Sequence, residues 1–262
     1  MEDGSSKSIA HRTVLAAGLA KGLSRVYNLD PSQDIAATLA AVRAFGAKVK
    51  LTETYADIEG RGGFATILRP VDCGESGSTL RFLIPLYAAR GIPAVFTGHG
   101  RLPERPLGVY ADCLPPHGVT LSAASGLPLT VTGRLTGGDF ALPGDVSSQF
   151  ITGLLYALPL LEGDSELVLT TALESRGYVD MTLDALERFG VEVEYDGART
   201  FRVKGNQIYR HQDLTIEGDW SNAAPWLCMG AIDGDSVTVK GLDPDSLQGD
   251  RAVCRGLGEM GV

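Results

Sequence analysis

Three short stretches place hydroxyls, amides and cations at the start of helix-like segments. They are Ser5-Ser6-Lys7-Ser8 with Arg12, Gly74-Glu75-Ser76-Gly77-Ser78-Thr79 with Arg81, and Gly144-Asp145-Val146-Ser147-Ser148-Gln149. A helix start presents unpaired N–H groups and the positive end of the helix dipole, so small flanking residues make it a place for an anion. Hydroxyls add donors, and Lys or Arg adds charge. Ser and Thr also act as plain helix N-caps, and one such stretch alone would be read that way. Three stretches in the same phase of a repeat are harder to dismiss, because symmetry would bring the helix starts together.

Two further stretches precede helices. In Gly100-Arg101-Leu102-Pro103-Glu104-Arg105-Pro106-Leu107, Pro106 suits a first helical position. That leaves Arg101 free to aim a planar guanidinium at a carboxylate or phosphate. The plainer alternative is a surface loop in which Glu104 and Arg105 mix their charges. Glu174-Ser175-Arg176-Gly177-Tyr178 occupies the matching place one unit later. Tyr178 is either a core aromatic or a wall over a ring-shaped ligand, and spacing does not choose between them.

Little else offers chemistry. His11 and His99 stand alone, and no Ser-His-Asp order is evident. Cys73, Cys113, Cys228 and Cys254 have neither CxxC spacing nor a companion His, which argues against zinc and against a disulfide framework. Cys113 lies in a helix pattern, where a buried inert thiol is expected. Trp220 and Trp226 read as packing residues. The net charge of −9 opposes nucleic-acid or anionic-membrane partners. An anion must therefore be held by a few well-placed cations. No apolar run reaches the ~20 residues of a membrane span, and Met1-Glu2-Asp3-Gly4 lacks a signal-peptide pattern. A cytoplasmic setting is expected.

The elements that must position these residues follow a period. Phe45-Gly46-Ala47, His117-Gly118-Val119, Phe189-Gly190-Val191 and Met260-Gly261-Val262 each close a helix-like stretch, with glycines 72, 72 and 71 residues apart. A fixed spacing of that size marks a repeated folding unit, about three and a half of them in this chain. In the first unit the spacing predicts a helix over 7–21, a strand over 23–29, an amphipathic helix over 34–45 and a strand over 48–53. A lead-in strand over Ala65 to Leu68 opens the second unit. Units restart at Ser76, Ser147 and about Trp220, after aligned turns at Gly74, Gly144 and Gly218; the strand that should precede Gly4 is missing. An α/β fold of βαβαββ units is expected, with mixed sheets covered by helices. Residues 4–214 would form a three-unit domain and 215–262 the incomplete start of a second, hinged at Glu217-Gly218-Asp219. Pro115-Pro116, Pro225, Gly256 and Gly258 fall inside helix patterns, and early endings or kinks are expected there.

Together these motifs resemble the enolpyruvyl transferases, and within them the EPSP synthase (3-phosphoshikimate 1-carboxyvinyltransferase) family. The resemblance runs from Gly4 to Val262. It rests on Ser6-Lys7-Ser8-Ile9-Ala10-His11-Arg12, Gly74-Glu75-Ser76-Gly77-Ser78-Thr79-Leu80-Arg81, Arg101-Leu102-Pro103-Glu104-Arg105-Pro106, Ser147-Ser148-Gln149-Phe150 and Ser175-Arg176-Gly177-Tyr178-Val179-Asp180. It implies six units in two domains (an inside-out α/β barrel), with the site in the cleft between them. This chain would then be about the N-terminal 60%. The implied reaction moves the enolpyruvyl group of phosphoenolpyruvate to the 5-hydroxyl of shikimate 3-phosphate, through a tetrahedral intermediate and without a metal, cofactor or covalent adduct.

By position, Lys7 is the implied catalytic residue and touches both substrates. Ser8, Arg12, Ser147, Ser148, Gln149 and Ser175 would hold shikimate 3-phosphate, with Tyr178 along its ring. Gly77, Arg101 and Gln149 would hold phosphoenolpyruvate, while Arg81 would brace its helix start. Departures are Glu2-Asp3-Gly4-Ser5 in place of a leading strand and Gly177 where Pro is common. The family's general acid and base and its second set of phosphoenolpyruvate-binding cations would follow position 262, so the chain alone is expected to bind without turning over. The related UDP-N-acetylglucosamine 1-carboxyvinyltransferases open with Ser-Lys-Asn and carry a loop Cys, neither of which is found here. A non-catalytic anion-binding domain is the alternative from another class. The whole protein would be a monomer, and the uncovered faces of 215–262 could drive self-association.

Overall fold

The computed structural model describes residues 4–62, 70–233 and 236–261. Twelve strands and eight α-helices make up its mixed α/β architecture among these residues. The first unit comprises α1 (Lys7–Leu19), β1 (Lys21–Tyr27), α2 (Gln33–Ala44), β2 (Lys48–Leu51) and β3 (Tyr55–Arg61). The second comprises β4 (Val71–Asp72), α3 (Gly77–Ala89), β5 (Ala94–Thr97), α4 (Gly108–Cys113), β6 (Val119–Leu121) and β7 (Leu129–Gly133). The third has β8 (Gly138–Leu142), α5 (Ser148–Ala157), β9 (Ser165–Leu169), α6 (Arg176–Arg188), β10 (Val193–Tyr195) and β11 (Thr200–Val203). After it come β12 (Leu214–Thr215), α7 (Trp220–Asp233) and α8 (Ala252–Glu259).

The three sheets share one plan. Their orders are β12-β1-β3-β2, β4-β5-β7-β6 and β8-β9-β11-β10. In each, the first pair is parallel and the other two are antiparallel. The glycine period has a matching cause. Gly46, Gly118 and Gly190 adopt φ of 96°, 87° and 75°, left-handed values that suit glycine. At each one the next N–H reaches back to close the helix end: Ala47 to Val42 O at 3.1 Å, Val119 to Leu114 O at 3.4 Å and Val191 to Leu186 O at 2.9 Å.

The first unit borrows its lead-in strand from the far end of the array. Val26 pairs with Leu214 and Tyr27 with Thr215, and the Ile216 N–H donates to Tyr27 O at 3.0 Å. The boundary expected between 214 and 215 thus falls inside a strand of the first sheet. The strand expected over Ala65 to Leu68 lies outside the described residues, and the observed lead-in to unit two is β4. The helix broken by Pro115-Pro116 ends early, as a six-residue α4 and a 3-10 turn. By contrast, α7 runs on through Pro225, whose flank is exposed.

The helices that begin the units are the core. In α1 every residue from Ala10 to Leu19 is buried, and α3 and α5 are buried almost all round. The helix expected over 7–21 ends at Leu19, and enclosure rather than one apolar face sets its burial. Close approach of backbones makes it possible. A Cβ on Gly18 would lie 2.6 Å from Val42 Cγ1 of α2, and one on Gly153 would lie 2.5 Å from Arg81 O of α3. Sheets flank this helical centre and bury alternate residues, such as Ala56, Ile58 and Gly60 of β3. The inner helices therefore start side by side.

Candidate functional site

The starts of α1, α3, α5 and α6 surround one cavity of about 410 Å³. Its wall includes Lys7, Ser8, His11 and Arg12 of α1, and Asp34 of α2. It also includes Glu75, Ser76, Gly77, Ser78 and Phe82 at α3; Val146, Ser147, Ser148 and Gln149 at α5; Ser175 and Tyr178 at α6; and Arg105 from the loop before α4. Of the site residues expected from sequence, only Arg101 is missing from it.

Local structure explains each placement. Ser76 caps α3 by accepting the Thr79 N–H at 3.1 Å, and Ser147 caps α5 by accepting that of Gln149 at 3.3 Å. Ser6 makes no such bond. Its hydroxyl donates to Gln248 Oε1 at 2.9 Å, while the Asp219 carboxylate sits 3.4 Å from the Lys7 N–H. The expected hinge is thus tightly tied: Gln248 also donates to Glu217 Oε1 at 2.7 Å and to Gly218 O at 2.9 Å. Gly77 matters through what it lacks, since a Cβ there would press on Arg105 Nη1 at 3.3 Å.

Arg12 is only 3% exposed. Its guanidinium donates to Thr182 Oγ1 (2.9 Å), Ser8 O (2.8 Å), Thr152 Oγ1 (3.3 Å) and Tyr178 O (2.9 Å). Arg81 is similarly enclosed, donating to Gln149 Oε1 at 2.6 Å and Pro106 O at 3.1 Å and lying over the Phe150 ring. Gln149 in turn donates to Ser78 Oγ at 2.9 Å, which ties α5 to α3. Among the described residues no carboxylate forms an ion pair with either arginine. Burial pulls the Arg12 guanidinium down to about 10 and lowers that of Arg81, with nearby Arg105 adding to the second effect. Burial likewise drives the His11 imidazole down to about 3, against the pull of Asp34, so this ring is neutral near pH 7.

Arg101 stands apart from the cavity. It caps a 3-10 turn over Leu102–Glu104, and that turn directs it outward beside Glu104 at 3.9 Å, with its side chain 91% exposed. The turn hands the cavity wall to Arg105 instead. Lys7 does reach the cavity but shares it with a carboxylate, its Nζ lying 3.0 Å from Asp34. Asp34, Arg105 and His11 were not singled out from the sequence. The Ser-Lys-Ser-Ile-Ala-His-Arg motif contained His11, but its partner Thr38 lies 27 residues away.

Chemically, this is a donor-rich bowl built from hydroxyls, amides, the enclosed guanidinium of Arg12, the cations Lys7 and Arg105, and the positive ends of helices, with Arg81 bracing Gln149. It suits a polyanion of modest size. Cys113, by contrast, is inert, with burial pushing its thiol up to about 12. Among the described residues no helix is long and apolar enough to cross a membrane.

Comparison with known proteins gives this arrangement its relatives. The family model described as EPSP synthase (3-phosphoshikimate 1-carboxyvinyltransferase) matches residues 3–262. The 3-phosphoshikimate 1-carboxyvinyltransferase of Clostridium kluyveri is 49% identical over 258 residues, covering 98% of this chain and 60% of that protein. That of Clostridium beijerinckii is 44% identical over 265 residues, covering 98% and 61%. The chain thus spans about 60% of the length of the curated relatives it matches. The fold is that of EPSP synthase from Acinetobacter baumannii, with a TM-score of 0.84 at 23% identity, covering all of this chain and 59% of that one. With a family model that spans almost every residue, the chain belongs to the EPSP synthase family.

Proposed function

We propose that this chain forms the shikimate 3-phosphate half of an enolpyruvyl-transfer site. The carrying observation is the enclosed guanidinium of Arg12, which lines the cavity and among the described residues meets only neutral oxygens at the junction of several helix starts. Charge taken out of water without a counter-charge is expensive, and a bound phosphate or carboxylate would supply that counter-charge. Arg12, Ser8, Ser147, Ser148, Gln149 and Ser175 would receive shikimate 3-phosphate, with Tyr178 against its ring. Gly77, Gln149 and Arg101 would receive phosphoenolpyruvate. For Arg101 this requires the 3-10 turn to swing inward, and Arg105 already stands on the wall.

Lys7 would act on both substrates once drawn from Asp34. The reaction would replace the ester oxygen of phosphoenolpyruvate by the 5-hydroxyl of shikimate 3-phosphate, releasing phosphate. Positioned donors would stabilise the charge that develops. The two carboxylates on the wall, Asp34 and Glu75, lie beside Lys7 and His99. We further propose that these 262 residues bind shikimate 3-phosphate without transferring the enolpyruvyl group by themselves, with residues 215–262 beginning a second domain like the first. A cytoplasmic location fits this role. Calorimetry with shikimate 3-phosphate tests binding, and phosphate release with both substrates tests transfer. Saturable binding with no release is the expected result. No binding would overturn the first half of the proposal, and release lost in Lys7→Ala would overturn the second.

A further inference from the structure

A file of buried side chains runs behind the cavity wall. His11 Nδ1 lies 2.7 Å from Thr38 Oγ1, Thr38 Oγ1 lies 2.8 Å from Thr79 Oγ1, and Thr79 Oγ1 donates to Ser76 Oγ at 2.8 Å. His11, Thr38, Thr79 and Ser76 are each 2% exposed or less. The two ends, His11 and Ser76, line the cavity, whereas Thr38 and Thr79 do not.

The direction of this file is fixed from one end. A hydroxyl has a single proton to give. The Thr79 proton goes to Ser76, so the proton between the two threonines must come from Thr38. The other acceptor near Thr38, Asp34 O, is farther away at 3.4 Å. With its proton spent on Thr79, Thr38 can only accept from the ring, so Nδ1 of His11 carries the hydrogen. Ser76 Oγ already accepts from Thr79 twice, once from the backbone N–H and once from the hydroxyl. Among the described residues its own proton has no acceptor on that side, while the residue itself sits on the cavity wall.

We propose that Ser76 is a further oxyanion-binding residue, its hydroxyl proton held toward the cavity by the one-way relay His11–Thr38–Thr79. The inference rests on reading the cavity as an anion site, and it gives the Ser76 hydroxyl a fixed direction that the helix-start argument leaves open. The relay makes His11 a positioning residue: a neutral ring that gives its Nδ1 proton inward and keeps Nε2 as an acceptor. A reversed relay would turn the Ser76 proton inward onto Thr79 and place a hydrogen on Nε2. The two arrangements exclude each other.

Long-range proton–nitrogen correlation NMR on the full chain reads the tautomer directly and needs no variant. The proposal expects Nδ1–H for His11, and an Nε2–H form would overturn it. Titration with inorganic phosphate supplies the functional arm. Thr38→Val keeps the shape, lies off the wall and breaks the relay, and it should weaken phosphate binding about fivefold to tenfold, the worth of one hydrogen bond. Ser76→Ala should weaken it by at least as much. Equal affinity in wild type and Thr38→Val would overturn the relay. If the wild type binds neither phosphate nor shikimate 3-phosphate, the anion reading itself falls and the role of Ser76 with it.

Discussion

Arginines occur in two settings in this molecule. On the outer sheet faces, Arg25 of β1 stands directly opposite Asp57 of β3, with Nε 2.7 Å from Oδ1. Arg202 of β11 likewise opposes Glu166 of β9 at 2.9 Å, on the rim of a second cavity. At the helix starts, Arg12 and Arg81 are enclosed and meet hydroxyls and carbonyls. Proton affinity follows the setting: hydrogen bonding to Asp57 raises that of Arg25, whereas burial lowers that of Arg12. The sheet pairs are satisfied within the chain and ask for nothing further. The enclosed pair carries positive charge that no carboxylate among the described residues balances, and Arg12 does so on the cavity wall, which is the observation behind the proposed anion site.

The largest expected effect separates the two settings. Arg12→Met should weaken shikimate 3-phosphate binding about 100-fold or more in calorimetry, since hydrogen bonds to charged groups are each worth roughly 1.5–3 kcal/mol. Arg202→Gln should leave that affinity within about twofold. Equal losses would erase the distinction between the two regions.

Acid is the next lever. His11 titrates near 3 when folded and near 6.5 when unfolded, so between these values the unfolded chain binds the extra proton. Stability must then fall as pH drops from about 6.5 toward 3, by roughly 1.4 kcal/mol per pH unit for one such group. Urea unfolding of wild type and His11→Asn across that window should show a shallower decline in the variant. Parallel curves would contradict a neutral buried imidazole.

A smaller effect is expected behind Arg12. Tyr156 donates to Arg12 O at 3.0 Å, and Tyr156→Phe should cost about 1 kcal/mol in unfolding free energy. The smallest belongs to the sheet face, where Arg202→Gln should cost less than about 1 kcal/mol and become harder to detect as salt is raised.

The repeat was legible because its punctuation is chemically forced: left-handed helix ends favour glycine, and the period could be read from those glycines. Less visible was β3, whose inward positions are Ala56, Ile58 and Gly60. Gly60 is small for a tertiary reason, since a Cβ there would meet Ala20 O at 2.2 Å, and no local pattern announces that. Most of the cavity wall followed from hydroxyl-rich helix starts. Arg105 did not, because two arginines four residues apart compete for one role and the turn between them decides. His11 looked isolated because hydrogen bonding joins it to Thr38 across two helices, a distance that spacing cannot see.

The central claim is that Arg12 is kept enclosed without a carboxylate for the sake of an incoming anion. Thermal unfolding of wild type and Arg12→Met, each with and without shikimate 3-phosphate, tests it most directly. The ligand-free variant is expected to be at least as stable as wild type, because an uncompensated buried charge has been replaced by an apolar side chain. Ligand at 100 times its dissociation constant is expected to stabilise wild type by about 2.7 kcal/mol and the variant hardly at all. A ligand-free variant that unfolds far below wild type, yet gains as much from shikimate 3-phosphate, would contradict the claim.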